Sequence, residues 1–306
     1  MTSALVFPGQ GSQYVGMAQD LCAEYPEARA IFDQADAALG FALSSVCFGG
    51  PEATLTDTIN AQPALLTHSI AVFRALQKLK ADALPAFVAG HSLGEYSALV
   101  AADAIDFVDA VKLVRERGRL MKEAGEKNSG AMAAVMGIDN AALEAVCAEA
   151  GVQIANYNSP GQTVISGAKE ALNRAVELAK ARGAKRAIVL AVSIASHSRL
   201  MESAAREFAS AVASTPICAP KIPVISNVTA QPLTSAEEIR HELVAQLTSS
   251  VQWIKSVEYI AAQGVTKFVE VGPKDVLVGL IKRISKDVSA VAVGDVASVK
   301  AFVEAP

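Results

Sequence analysis

Residues 86–101 read AFVAGHSLGEYSALVA, and their pattern predicts a strand, a sharp turn and a helix in that order. Ala86–Ala89 is a short apolar run between Pro85 and Gly90, which is typical of a buried strand. A helix is expected to follow over about residues 93–102. Because parallel sheets are built from strands that lead into helices, this stretch predicts an α/β fold.

The turn within this stretch carries a candidate nucleophile. Gly90-His-Ser-Leu-Gly94 fits the pattern G-x-S-x-G, in which small flanking residues let the hydroxyl of Ser92 project clear of the sheet. The amides at the start of the next helix point to the same place and are suited to stabilise an oxyanion. A glycine-rich turn with an idle serine would show the same pattern, so the motif alone leaves both interpretations open.

Around this unit the chain continues with apolar strands and amphipathic helices. A first strand, Ala4–Phe7, ends in the small-residue loop Pro8-Gly-Gln-Gly-Ser-Gln13. The spacing of apolar positions predicts further elements, with helices over about residues 16–24, 26–39, 62–80, 107–124, 199–214, 236–248, 254–263 and 275–285, and strands over 224–228, 267–271 and 290–293.

Residues 128–198 follow a different pattern. They are predicted to form strands over 131–138, 152–157, 163–166 and 185–191 and helices over 140–150 and 169–182. The resulting order, β-α-β-β-α-β, is that of a ferredoxin-like sandwich. We therefore predict a core formed by residues 1–127 and 199–306, with residues 128–198 inserted as a small subdomain.

The composition fits a globular α/β protein and excludes several other classes. Of the 306 residues, 52% are hydrophobic and 19% are charged, so the chain can bury a large core. The net charge is −4 and no run of five like charges occurs, so no nucleic-acid partner is expected. The longest apolar run, Ala187–Ala195, is nine residues including one serine, which is too short to span a membrane.

The sequence indicates neither a leader nor a disulfide framework. Ala4–Phe7 is preceded by no basic region, so no signal peptide is expected. The four cysteines lie far apart and form no CxxC motif: Cys22, Cys47, Cys147 and Cys218. We interpret them as reduced core residues of a cytoplasmic protein rather than zinc ligands or disulfide partners. Because the sequence shows no cluster of metal ligands and no nucleotide-binding glycine loop, no cofactor is expected.

A nucleophilic Ser92 needs a base, and four histidines are available. His241 lies in a charged helix and fits a solvated face, His68 fits a structural position, and His91 should point away from the serine hydroxyl. His197 follows an apolar strand, where a loop could present it to a cleft. It is therefore the preferred base, and since no acidic partner is evident near it, a backbone carbonyl is expected to orient its ring.

Arg117 is the one charge on the apolar stripe of the helix predicted over residues 107–124. A buried guanidinium requires an anion, which is either a structural carboxylate or the carboxylate of a ligand. The adjacent Gly118 costs on the order of 1 kcal/mol in a helix interior, which indicates a close approach of another backbone.

The loop Gly9-Gln-Gly-Ser-Gln13 also follows a strand directly. It could place an N–H group near an oxyanion, although by itself it is simply a turn.

Together these motifs resemble the malonyl-CoA:acyl carrier protein transacylase family of fatty-acid synthesis, over essentially the whole chain. The matching segments lie in the family's order: Phe7-Pro-Gly-Gln-Gly-Ser-Gln13, Gly90-His-Ser-Leu-Gly-Glu-Tyr-Ser-Ala-Leu99, Arg117-Gly118 with Leu120-Met121, Asn156-Tyr-Asn-Ser-Pro-Gly-Gln162, Ser196-His197 with Leu200-Met201, Val251-Gln-Trp253 and Glu270-Val-Gly-Pro273. The resemblance implies a hydrolase-like parallel-sheet core with an inserted ferredoxin-like (βαββαβ) subdomain, which agrees with the order of elements above.

The resemblance also implies roles for the residues of the site. Ser92 would accept the acyl group, His197 would be the general base and acid, and Arg117 would bind the free carboxylate of the malonyl group.

Six further residues are implied in supporting roles. The backbone N–H groups of Gln10 and Leu93 would form the oxyanion hole, and the backbone carbonyl of Gln252 would orient His197. Three others would line the acyl and coenzyme A end of the site: Gln62, Asn156 and Asn158.

The implied activity is an acyltransferase reaction that moves malonyl from malonyl-CoA to the phosphopantetheine thiol of acyl carrier protein and feeds fatty-acid chain elongation. The expected partners are therefore malonyl-CoA and acyl carrier protein, with no nucleic acid and no membrane, and a monomer is expected. An acidic carrier protein could dock on Lys282, Arg283 and Lys286, although a solvated helix face explains these residues equally well. Methylmalonyl as the acyl group and polyketide synthesis as the pathway stay open.

Two other classes of function remain as alternatives. A serine hydrolase usually runs Ser, then Asp or Glu, then His along the chain, and it would consume malonyl-CoA without a thiol acceptor. A catalytically silent binding module for acyl-CoA or carrier protein would need none of Ser92, His197 and Arg117.

Overall fold

The structure is a computed structural model that describes residues 2–79, 85–192 and 194–305. Its strands are β1 Ser3–Phe7, β2 Phe87–Gly90, β3 Gly130–Met136, β4 Gln153–Ser159, β5 Gln162–Ala168, β6 Arg186–Val189, β7 Val224–Ile225, β8 Pro232–Leu233, β9 Lys267–Val271 and β10 Ser289–Val293. Its helices are α1 Gln19–Glu24, α2 Pro26–Leu39, α3 Leu43–Gly49, α4 Glu52–Thr56, α5 Thr58–Leu79, α6 Gly94–Ala101, α7 Phe107–Lys127, α8 Asn140–Ala150, α9 Lys169–Ala181, α10 Glu202–Ser214, α11 Ala236–Ala245, α12 Trp253–Ala262, α13 Val276–Ile284 and α14 Val296–Glu304.

The larger sheet has six strands in the order β10-β9-β1-β2-β7-β8, and every neighbouring pair is parallel except β7 with β8. Successive side chains of β1 enter different cores, because strand residues alternate between the faces of a sheet. Phe7 belongs to the core beneath α5, α6 and α7, whereas Ala4 and Val6 belong to the core beneath α12 and α13. Helices thus cover both faces, which is the layering predicted for the α/β core.

The smaller sheet is antiparallel, with the strand order β4-β5-β3-β6. Together with α8 and α9 it forms the predicted β-α-β-β-α-β unit, and its hydrophobic core is separate from the two of the larger sheet. The fold class is confirmed: a parallel-sheet core with an inserted ferredoxin-like unit. The domain boundaries at residues 128 and 198 stay a prediction.

Helices α5 and α7 pack at short range and carry several residues of the site. A Cβ atom on Gly118 would lie 2.7 Å from the backbone oxygen of Thr58, so only glycine permits this approach. This confirms the close backbone contact predicted from Gly118. Helix α5 begins four residues before its predicted start and includes Pro63, and the predicted last residue, Lys80, lies outside the described residues.

Four elements were not predicted, namely α3, α4, α14 and the two-residue strand β8. The strand predicted over residues 224–228 is also too long, because β7 ends at Ile225. Ser226 closes the hairpin to β8, because its backbone N–H donates to the backbone oxygen of Gln231 while its hydroxyl donates to Glu242 at 2.6 Å. The chain therefore leaves the sheet early and brings the next residue, Asn227, against the turn that carries Ser92.

The four cysteines are free, as predicted, but they are not all core residues. Cys47 and Cys147 are buried and Cys22 is half-buried, whereas Cys218 is exposed in the loop between α10 and β7. Loops of this kind run over the surface because their backbone polar groups need water, so the core assignment was wrong for Cys218. None of the helices in the described ranges is both long enough and apolar enough to cross a membrane.

Candidate active site

The turn between β2 and α6 places Ser92 at a strained backbone position, with φ of 51°. Both flanking glycines are required for this shape. A Cβ atom on Gly90 would lie 1.9 Å from the carbonyl carbon of Gly94, and one on Gly94 would lie 2.0 Å from the backbone oxygen of Phe7. The turn therefore has the sharp geometry of a nucleophile elbow, and the side chain of Asn227 secures it by accepting the N–H of Ser92 at 2.7 Å.

The hydroxyl of Ser92 lies beside His197, which reaches the site from the loop after β6. The Nδ1 atom of His197 is 2.8 Å from the backbone oxygen of Gln246 and 3.1 Å from that of Ser249. Because carbonyl oxygens only accept hydrogen bonds, Nδ1 carries the proton and Nε2 is left as an acceptor. The Ser92 hydroxyl donates to this Nε2 at 2.8 Å, which is the geometry of a nucleophile with its base.

Burial lowers the pKa of His197 to about 3, and the charge of Arg117 lowers it further, against the two backbone carbonyls that raise it. The ring is 4% exposed. In the resting site it is therefore neutral at physiological pH, the form that can accept a proton.

The expectation for Gln252 was wrong, although the expectation that a backbone carbonyl orients His197 was right. The carbonyl of Gln252 instead accepts the N–H of Ser256 at 3.0 Å and its hydroxyl at 3.2 Å, because Gln252 is the residue that precedes α12. The carbonyls that face His197 are those of Gln246 and Ser249, in the segment between α11 and α12.

The remaining histidines lie where the sequence placed them. His241 is exposed, and His68 is fully buried with its Nε2 atom 2.8 Å from the backbone oxygen of Gly294. His91 turns away from the hydroxyl of the neighbouring serine and donates from Nε2 to Oδ1 of Asn158 at 2.8 Å. Of the four, only His197 hydrogen-bonds to Ser92.

Arg117 is fully buried on α7 and points at the same hydroxyl. One guanidinium nitrogen donates to Ser92 Oγ at 3.2 Å and to Gln246 Oε1 at 2.8 Å, and the other donates to Gln62 Oε1 at 2.8 Å. Among the described residues no carboxylate forms a salt bridge with Arg117. The Nε atom of Arg117 also lacks a hydrogen-bond partner among these residues, and burial lowers the pKa of the guanidinium. Within the described residues the structural ion pair considered above is therefore absent, and the guanidinium beside Ser92 has the chemistry to bind a carboxylate.

Gln10 and Leu93 both carry backbone N–H groups at the elbow. Leu93 follows Ser92 directly, and Gln10 lies in the loop that leaves β1, whose residue Phe7 is paired with Gly90 of β2. Neither N–H has an acceptor within the described parts of the chain. Both are thus available as donors to an oxygen outside the chain, which is what an oxyanion hole requires.

The two asparagines of β4 are held differently. Asn158 joins the site through its hydrogen bond with His91, the residue before the nucleophile. Asn156 is buried, and its backbone bridges to Val251 in the segment that precedes α12. No side-chain hydrogen bond of Asn156 to the described residues is present, so a role in lining the acyl and coenzyme A end stays a prediction.

Sequence reasoning missed three residues that support the site: Glu95, Asn227 and Gln246. Glu95 is fully buried on α6 and accepts hydrogen bonds from both of the others. A glutamate as the single charge in a short helix was a signal that could have identified it. Asn227 and Gln246 lie in polar loop segments and gave no such signal.

Within the described residues, no group of three or more His, Cys, Asp or Glu side chains is arranged to hold a metal ion. The expectation that no cofactor is bound stays a prediction.

Comparisons with known proteins identify the family of the chain. The family model described as the acyl transferase domain matches residues 4–300. The malonyl CoA-acyl carrier protein transacylase of Escherichia coli strain K12 is 50% identical over 305 residues, which cover 98% of each chain. An acyl carrier protein S-malonyltransferase from Vibrio cholerae has a similar structure, with a TM-score of 0.96 at 47% identity, covering 99% of this chain and 100% of that one. A malonyl-transacylase solved in complex with a type II PKS acyl-carrier protein gives a TM-score of 0.97 at 46% identity, over 99% of both chains.

Proposed function

The chain belongs to the acyl transferase family, and within it to the malonyl-CoA:acyl carrier protein transacylases, and from this premise we propose that it transfers malonyl through an ester on Ser92. The observation that carries the mechanism is the position of one hydroxyl between a base and a cation. Ser92 Oγ lies 2.8 Å from His197 Nε2 and 3.2 Å from a guanidinium nitrogen of Arg117. His197 accepts the proton of Ser92, and Arg117 binds the acyl group.

In the first half-reaction, His197 Nε2 takes the proton from Ser92 as Oγ bonds to the thioester carbon of malonyl-CoA. The carbonyl oxygen becomes an oxyanion, which the N–H groups of Gln10 and Leu93 stabilise. The bond from carbon to sulfur then breaks, and the coenzyme A sulfur leaves with the proton from the imidazolium. The product is a malonyl ester of Ser92 and a neutral His197.

In the second half-reaction, the phosphopantetheine thiol of acyl carrier protein gives its proton to His197 and attacks the ester carbon. The same oxyanion hole stabilises the second tetrahedral intermediate. When the bond from carbon to oxygen breaks, the imidazolium returns the proton to Ser92 Oγ. Malonyl is now a thioester of the carrier protein, and the enzyme is restored.

Arg117 selects the acyl group. Malonyl ends in a carboxylate that can pair with the guanidinium, whereas acetyl would leave the buried cation without an anion. We propose malonyl rather than methylmalonyl as the transferred acyl group.

We further propose fatty-acid chain elongation as the use of the product, a cytoplasmic location and a monomeric enzyme. Polyketide synthesis is the second candidate, because one similar structure was solved with a type II PKS acyl-carrier protein. Lys282 and Arg283 are exposed in the last turn of α13 and Lys286 is exposed just after it, where all three could face an acidic carrier protein. Arg283 also donates to Gln162 of the smaller sheet at 2.5 Å.

The experiment that tests this proposal follows malonyl-CoA with and without acyl carrier protein that carries phosphopantetheine. We expect release of coenzyme A to continue only with the carrier protein, and malonyl to be recovered as its thioester. Steady release without any thiol would identify a hydrolase. No reaction with or without the carrier protein would identify a binding module.

A further inference from the structure

We propose that Glu95 is a positioning residue of the acyl site: it fixes the side-chain amide of Gln246 so that Arg117 favours acyl groups that end in a carboxylate. This inference rests on the proposed function, since it concerns how the same site chooses its acyl group. Glu95 lies three residues after the nucleophile and is fully buried, yet it forms no salt bridge within the described residues. Burying a carboxylate in this way is costly unless several hydrogen bonds compensate.

Within the described residues, Glu95 accepts hydrogen bonds from the N–H donors of two residues. Oε1 accepts the backbone N–H of Asn227 at 2.8 Å and its side-chain amide at 3.1 Å. Oε2 accepts the side-chain amide of Gln246. A carboxyl group whose two oxygens both accept is suited to be ionised.

Glu242 lies next to Glu95 and explains where the proton resides. Both carboxyl groups are buried and bind the same segment, Glu95 at Asn227 and Glu242 at Ser226 and Val228, and burial raises the pKa of each. Two such groups share one proton, because both cannot be ionised side by side out of water. Glu242 accepts two hydrogen bonds, from the N–H of Val228 at 3.0 Å and the hydroxyl of Ser226 at 2.6 Å, against three N–H donors for Glu95. The carboxyl with more N–H donors is the better anion, so the proton belongs on Glu242.

This arrangement fixes the amide of Gln246. Its Nε2 donates to the backbone oxygen of Ser92 at 3.1 Å as well as to Glu95, and neither acceptor can donate in return. Its Oε1 must then face Arg117, where it accepts at 2.8 Å. The cation thus meets a neutral oxygen while the negative charge lies one residue further away. Arg117 is held in place without being neutralised by direct contact, and its charge remains available to a substrate carboxylate.

Glu95→Gln is the variant that tests this assignment. The new amide has one accepting oxygen and one donating nitrogen, so it cannot accept on both sides. The backbone N–H of Asn227 cannot turn away, and the new oxygen should therefore remain on that side. The new NH₂ would then face the NH₂ of Gln246, so the Gln246 side chain should lose this anchor and no longer hold Arg117 in its present position. Malonyl recognition is expected to fail while the contact between Ser92 and His197 persists.

The measurement is the rate constant for Ser92 acylation of the full chain by malonyl-CoA and by acetyl-CoA, followed by intact-protein mass. We expect Glu95→Gln to lower the malonyl-to-acetyl ratio at least tenfold, with the loss mainly in malonyl and the acetyl rate within about threefold of wild type. Glu242→Gln is the matched control. It replaces a protonated carboxyl by a group of the same shape, so its ratio is expected to stay within about threefold of wild type.

Several results would overturn the assignment. An unchanged ratio in Glu95→Gln would mean that Glu95 is only structural, and a higher ratio would mean that it acts only as a counter-charge to Arg117. If the malonyl-to-acetyl ratio falls equally in Glu242→Gln, the negative charge lies on Glu242 and not on Glu95, which contradicts the assignment. If Glu95→Gln does not fold, Gln246→Met removes the same amide, and its ratio must fall for the assignment to stand. The proposed function fails in a different way, since wild type would then form no malonyl adduct on Ser92.

Discussion

Replacing Arg117 by alanine should separate recognition of the acyl group from the chemistry of the ester. In malonyl-CoA the substrate carboxylate would pair with a guanidinium that is fully buried and has no carboxylate partner among the described residues. Removing one member of a buried charge pair typically costs about 2–5 kcal/mol. At about 1.4 kcal/mol per factor of ten, the malonyl acylation rate should fall roughly 30- to 5,000-fold.

Acetyl-CoA provides the internal control for Arg117→Ala. Acetyl gains nothing from the guanidinium, so its rate of Ser92 acylation should persist or rise in the variant. Arg119→Ala is a matched control on the same helix, because Arg119 pairs with Glu116 and Glu123 at the surface. Its effect on both rates should be within about twofold, since surface ion pairs contribute little. Equal losses with malonyl-CoA and acetyl-CoA in Arg117→Ala would refute the recognition role.

Two further results are expected. Burial lowers the pKa of His197 to about 3, so the ring is neutral above about pH 4, and kcat/KM for malonyl transfer should show no ionisation near pH 6.5. A change in kcat/KM with an apparent pKa near 6.5 would show that the His197 ring ionises like an exposed histidine, which would contradict this prediction. Gly118→Ala should lower the free energy of unfolding by about 1–3 kcal/mol, because its Cβ would meet the backbone of Thr58. Gly279→Ala in α13 has open space around it and should raise that free energy by about 0.5–1 kcal/mol, so denaturant curves that move in the same direction for both would contradict the close helix packing.

The sequence predicted those parts of the site that depend on local chemistry. The elbow around Ser92 follows from two glycines between an apolar strand and a helix, and the structure shows that a Cβ at either glycine would clash. Arg117 was identified because a charge on an apolar stripe is conspicuous, and Gly118 because glycine weakens a helix. Each of these signals lies within a few residues of the feature that it predicts.

The parts that were missed depend on contacts between distant segments. Gln252 and Gln246 lie six residues apart in one polar stretch, and only the three-dimensional path decides that the carbonyl of Gln246 faces His197. Asn227 reaches the elbow because β7 ends after two residues, which the β-branched residues at 224, 225 and 228 concealed. The short helices α3 and α4 escaped prediction because five to seven residues give too little periodicity.

The most direct test of the central claim is the mass of the intact chain after brief mixing with malonyl-CoA in the absence of any thiol acceptor. We expect one malonyl group to be added, and peptide mapping to locate it on Ser92. The adduct should disappear when acyl carrier protein bearing phosphopantetheine is added, and Ser92→Ala should never form it. A chain that keeps its original mass, or that carries malonyl on another residue, would contradict the account.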